Sequence, residues 1–193
     1  YKGGLLTVAA SITGFFDADP YDAKIYTEMG TAGKILTWAN GSAAGSTAYT
    51  FKSMLGSYSP GAQVGNMLES NLDAASAGKL IRGSIAENQT GVDTTGDGTG
   101  VQLGSISASQ NLYVACHVLN AGGTSPTMDL IIESDDNASF TSATTRATFT
   151  QFDAIGGEWK EVSGAIADDY WRASWTIGGT DPDFDFVIVW AIQ

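Results

Sequence analysis

The chain has 193 residues, 43% of them hydrophobic, with 24 glycines, four prolines and a net charge of -12. That apolar content is enough for real cores and excludes wholesale disorder, while 21 acidic against nine basic residues exclude a chain-wide grip on nucleic acid phosphates. A single cysteine, Cys116, excludes an internal disulfide framework and any multi-cysteine metal site.

In chain order, Leu6, Val8, Ala10 and Ile12 alternate with Thr7, Ala9, Ser11 and Thr13 and predict a first strand, closed by 15–20. Asp19-Pro20 is a helix start, a carboxylate for free N–H groups followed by a residue that lacks the donor. The helix then runs over Tyr21–Met29, with Ile25 and Met29 on one face and Gly30 as the stop. Lys34–Trp38 predicts the next strand. Asn40, Gly41, Ser42, Ala43, Ala44, Gly45, Ser46 and Thr47 follow as a flexible polar loop. Tyr49–Met54 alternates as a strand, and Ser59-Pro60-Gly61 turns the chain. Over Val64–Ala75 a helical stripe of Val64, Leu68, Leu72 and Ala75 fits slightly better than alternation. Lys79–Ala86 is a strand, and 88–100 is a linker by composition.

The second half holds three basic and fourteen acidic residues over 90–193, against six and seven over 1–89. Short strands are predicted at Val101–Ile106, Leu112–Val118, Met128–Ile132, Arg146–Phe152 and Glu158–Val162. A terminal hairpin adds two more: Trp171, Ala173, Trp175 and Ile177 face one way, then Gly178–Pro182 turns, then Phe184, Phe186, Ile188 and Trp190 share a side. Trp171, Trp175, Phe184, Phe186, Ile188 and Trp190 are the expected core of this half. About seven short strands in some ninety residues is the profile of an antiparallel β-sandwich.

Candidate chemistry is sparse. Cys116 and His117 are adjacent on a strand and point to opposite faces, so Cys116 is expected in the core and His117 at the surface. Asp93 and Asp97 lack the spacing of a calcium loop. Glu133, Asp135 and Asp136 form a better oxygen-rich candidate for calcium, although a plain polar hairpin loop is the preferred reading. Glu158 and Glu161 carry no sign of a facing carboxylate pair. Trp171, Trp175 and Trp190 read as core by parity rather than as a sugar-stacking platform. No catalytic residue, metal or cofactor is expected, and no run is apolar enough to cross a membrane. The chain opens on Tyr1, not methionine, and a strand begins almost at once, so an N-terminal piece is expected to have been processed off or left out.

Several stretches resemble a known family. The run 123–137 (GTSPTMDLIIESDDN), with Phe149-Thr150, 162–164 (VSG), 170–177 (YWRASWTI) and the closing 184–189 (FDFVIV), is similar to the C-terminal β-sandwich appended to many phage structural proteins. The segments 3–8 (GGLLTV) through 14–17 (GFFD), 48–51 (AYTF), 57–61 (SYSPG) and Val64 onward resemble the major tail tube proteins of long-tailed bacteriophages. That resemblance implies a mainly β chain: a tail-tube-like β-sandwich or barrel with one short helix over 1–87, its N-terminal part missing. A linker over 88–100 and a projecting antiparallel sandwich of about seven strands over 101–193 would follow. It also implies that Val64–Ala75 is a strand and that the helix lies outside the tube sheet.

The implied function is that of a structural virion protein, assembled in the host cytoplasm. Copies would form hexameric rings stacked into a tail tube, a conduit through which DNA passes without specific binding. The partners are further copies of the chain, with no membrane and with surface glycan contact open to the C-terminal domain. The loop 40–47 is either a plain hairpin loop or an arm that meets a neighbouring subunit. Strand edges are the expected working surfaces, because unpaired edges find partners. The alternative is a virion decoration protein or a carbohydrate-binding sandwich module.

Overall fold

A computed structural model describes residues 8–16, 22–61, 68–76 and 78–193. In chain order its elements are β1 (Ala9–Phe15), α1 (Ala23–Glu28), β2 (Ala32–Ala39), β3 (Thr47–Gly61), β4 (Glu69–Ser76) and β5 (Ile81–Val92). There follow β6 (Gly96–Asp97), β7 (Val101–Gln102), β8 (Asn111–Asp135), β9 (Thr144–Thr148), β10 (Gly156–Ser163) and β11 (Tyr170–Ile192). The chain is thus mainly β and antiparallel, with one short helix among the described residues, as its alternating, glycine-rich sequence predicts. No helix among those residues is long and apolar enough to cross a membrane. Two compact units emerge, Tyr1–Thr37 with Phe51–Leu80, and Trp38–Thr50 with Ile81–Gln193. The predicted division at 87 and 101 is displaced, since 38–50 and 81–100 belong to the second unit.

The second unit is built on a ribbon. β8 and β11 pair antiparallel from Tyr170↔Asp135 to Ile192↔Leu112, so the predicted terminal hairpin does not form, and the predicted strands Leu112–Val118 and Met128–Ile132 are parts of one strand. Instead the ribbon bends where its register slips, between Gly178 and Asp183. Gly123 (φ 99°), Ser125 (φ 49°), Gly179 (φ 114°) and Asp181 (φ 48°) hold the left-handed backbone that the bend requires. A Cβ on Gly123 would collide with the Asp181 carbonyl, and one on Gly179 would lie 2.7 Å from the Ser125 oxygen.

Folded over, the ribbon places its halves in two layers. The layer of Leu112–Ala121 and Phe184–Ile192 is widened by β10 beside β8, and by β5 and then Thr47–Thr50 of β3 beside β11. The layer of Thr127–Asp135 and Tyr170–Gly178 gains β9 on one side and β6 and β7 on the other. Between them lie Val114, Cys116 and Val118, Leu130 and Ile132, and the expected six, Trp171, Trp175, Phe184, Phe186, Ile188 and Trp190. Each large apolar side chain so buried contributes about 1.5–3 kcal/mol.

The predicted linker is no linker. Residues to Val92 continue β5 against β11, and the stretch after it is a strap on the other layer. The Trp175 indole N–H donates to the Thr94 carbonyl (3.2 Å), Gly98 N–H to Ala173 (2.8 Å) and Ile177 N–H to the Thr95 hydroxyl (3.0 Å). Glu87, buried, accepts from Thr99 N–H (3.0 Å) and the Gln89 amide (2.7 Å). A Cβ on Gly98 or Gly100 would press on the Glu87 carboxylate or the Phe140 ring, and one on Gly96 would touch Trp175 at 3.4 Å. The glycines serve close approach, which composition alone cannot tell from flexibility.

In the first unit β4 pairs β1 on one side (Ala9↔Ala75 to Phe15↔Glu69) and β3 on the other (Ser53↔Ser76 to Gly61↔Glu69), and β2 pairs β3. The described part of Val64–Ala75 is therefore a strand, because two neighbours pair with it, and the helical stripe loses to that pairing. Ser59-Pro60-Gly61 is not a turn but the end of β3, with Pro60 opposite Ser70. The helix is shorter than predicted, Ala23–Glu28, with Gly30 (φ 74°) as its stop. Leu6, the Asp19-Pro20 start and Val64–Met67 lie outside the described residues.

Candidate functional site

The two sides of the first unit's sheet differ in kind. On one side Ala10 and Leu55 flank Ala74, and Phe51, Leu55 and Ala74 are buried. Tyr58, opposite Leu72 on this side, donates to the Asp22 carboxylate (2.9 Å) just before α1, and burial followed by that carboxylate raises the phenol's pKa. Glu28 of α1 pairs with Lys34 of β2, which holds its carboxyl below the usual range.

The other side is a lattice of small polar groups. The Ser11 hydroxyl donates to Asp73 Oδ1 (2.7 Å) and the Ser57 hydroxyl to Asp73 Oδ2 (2.7 Å), so one carboxylate ties β1, β4 and β3 together. Thr13 donates to the Asn71 side-chain oxygen (2.6 Å) one pair further along. The Ser11 bond, then the Ser57 bond, hold the Asp73 carboxyl below its ordinary pKa. Across Ala9–Phe15, Glu69–Ser76 and Ser53–Gly61 there are two carboxylates, Glu69 and Asp73, and no lysine or arginine. The alternation of Ser11 with Thr13 and of Asn71 with Asp73 is the signal that sequence inspection missed.

Two edge strands complete the contrast. β1 has β4 on one side and no partner on the other among the described residues. It carries no charge, and Ile12 and Phe15 are 47% and 67% exposed. β10, the edge of a layer in the second unit, is guarded. Glu158 and Lys160 share the core-facing parity of Val162, pair with each other at 2.6 Å, and are tied down by Thr150 N–H (2.7 Å) and the Phe149 ring (5.7 Å). Charges turned inward at an edge discourage further pairing, whereas a neutral, apolar edge invites it.

The remaining predicted residues take these places. Glu133 is held by Arg172 (2.9 Å), and Asp135, two residues further along β8, is buried. Asp135 accepts from the N–H groups of Asn137 (3.0 Å) and Ser142 (2.8 Å), chiefly the latter lowering its pKa, while Asp136 is pushed up by its bond to Asp135. Asp135 thus holds the loop after β8, Asp136 lies beside it and Glu133 ties β8 to β11, and no metal-binding group of carboxylates forms among the described residues. Residues 40–47 do not form a free arm. Asn40 N–H bonds Thr47, Gly45 N–H bonds Ile85 (2.8 Å), Ile85 N–H bonds Ser46 (2.9 Å), and the Asn88 amide reaches Ser42 (2.9 Å). Cys116 is fully buried, which pushes its thiol pKa far up, and His117 is partly buried on the opposite parity, its pKa lowered by that burial. Trp171, Trp175 and Trp190 are core and offer no stacking face.

No protein-family model, curated protein or solved structure matches the chain.

Proposed function

We propose that the chain is a structural, self-assembling virion subunit, a tail tube protein whose copies join through β1 into hexameric rings that stack around a DNA conduit. The observation that carries this reading is the edge of β1, uncharged and paired on one side only among the described residues, set against the guarded edge of β10. Repulsion between copies of net charge -12 disfavours self-contact through acidic surface, and β1 carries no acidic residue. A heterologous contact repeated around an axis closes a ring. The cluster of Ser11, Thr13, Asn71, Asp73 and Ser57 suits a lumen wall, because it offers phosphates a like-charged carboxylate and no cation, Lys52 standing further along β3 beyond Met54. The side that carries α1 would then face outward.

Negative-stain microscopy of the purified chain tests the reading. Rings or short tubes are expected, and Ile12→Lys, which places a charge on the open strand, should leave single subunits of unchanged fold. Discrete monomers or trimers of the unaltered chain, retained on a polysaccharide column, would favour a decoration or carbohydrate-binding module instead.

A further inference from the structure

The second unit shows one aromatic residue in an unusual position. Of the five tryptophans, Trp171, Trp175 and Trp190 are core and Trp159 is half-buried, yet Trp38 is 64% exposed. It is not a loose side chain. Its ring lies 5.7 Å from that of Tyr49 at 31°, a tilted contact. Tyr49 in turn stands opposite Arg82 where β3 meets β5, so the two side chains share a face about 5 Å apart at Cβ. A row of Trp38, Tyr49 and Arg82 therefore crosses three strands.

Arg82 is unusual as well. Lys24, Lys34, Arg146, Lys160 and Arg172 are ion-paired, whereas the exposed Arg82 guanidinium has no partner among the described residues. Trp, Tyr and Arg are the residue types that dominate binding energy when buried together in an interface. The Trp38–Tyr49 ring contact is already formed, which lowers the side-chain freedom left to lose on association.

We infer that Trp38, Tyr49 and Arg82 form a second contact by which copies of this chain bind one another, Trp38 packing on a neighbouring copy and Arg82 pairing with one of its carboxylates. Charge complementarity selects that occupant: a free cation in a chain of net charge -12 has abundant carboxylates to meet on another copy, fourteen acidic residues lying beyond position 89. This rests on the self-assembly proposed above but uses a surface independent of β1.

The test is sedimentation velocity over a concentration series on the full chain, with Trp38→Ala, Arg82→Glu, Arg82→Lys and Ile12→Lys beside the unaltered protein. Trp38→Ala and Arg82→Glu should each raise the concentration for half-assembly by on the order of tenfold or more, the loss of one well-packed contact. Arg82→Lys should keep part of the effect, and added salt should weaken the unaltered chain more than Arg82→Glu. Both side chains are exposed, so thermal midpoints should stay within a few degrees; should Trp38→Ala unfold, Arg82→Glu decides alone. Assembly blocked by Ile12→Lys but unaffected by Trp38→Ala and Arg82→Glu would overturn this contact and leave the tail tube reading standing. An unaltered chain that stays monomeric throughout would overturn both.

Discussion

Trp175 and Phe186 meet edge to face across the second unit, ring centroids 5.2 Å apart at 69°, although they are eleven residues apart on one strand. Extended without a bend, that separation would span roughly 37 Å. Neither can be the other's lateral neighbour. Trp175 has Leu130 on one side and Gly96 on the other, and Phe186 has Val118 and Gln89. Their contact therefore reports the folding of the ribbon into facing layers.

Phe186→Ala should cost about 3–5 kcal/mol in denaturant unfolding, the usual loss for a buried ring. A double-mutant cycle with Trp175→Phe should show coupling of about 0.5–1.5 kcal/mol. Additive effects would mean the rings do not touch.

The strap after β5 makes a separate prediction. Gly98→Ala drives a methyl group into the Glu87 carboxylate and should cost about 1–3 kcal/mol. Gly156→Ala meets nothing within 4 Å and should stay within about 0.5 kcal/mol of the unaltered chain. Equal effects in urea melts would show that 93–100 is not packed against the sheet.

Acid should loosen the loop end of the sandwich through Asp168. The Ser134 hydroxyl, then Arg146 at 2.8 Å, hold its carboxyl below the ordinary 3.8. The folded state thus binds fewer protons than the unfolded one. The stabilisation is complete above the ordinary carboxyl range and fades as pH falls through the lowered value. Asp168→Asn should flatten that acid limb in thermal melts between pH 6 and 2. Asp136 has the opposite sign, its pKa raised by the bond to Asp135, so Asp136→Asn should raise the midpoint at neutral pH. An unchanged acid limb in Asp168→Asn would contradict the assignment.

The sandwich core was legible because parity is local: Trp171 and Trp175, or Phe184 and Phe186, reveal their buried side whichever strand pairs with them. Pairing itself is not local. Gly178–Pro182 has the composition of a hairpin turn, and only the presence of β8 alongside both halves of β11 makes it a bend. Gly96, Gly98 and Gly100 look like linker residues until the atoms facing them are known. In the first unit the Ser11, Asp73 and Ser57 bridge needs three strands in register, and no single segment announces it. The openness of β1 is legible in part, since an uncharged strand is visible in sequence, while the lack of a second neighbour among the described residues is not.

Amide hydrogen exchange along Ala9–Phe15 at rising protein concentration probes the joining edge most directly. Alternate β1 amides, those not bonded to β4, should exchange freely in dilute solution and become protected as copies join, while the β10 edge stays unchanged. Equal exchange of the β1 amides in dilute and assembled samples would contradict assembly through this strand.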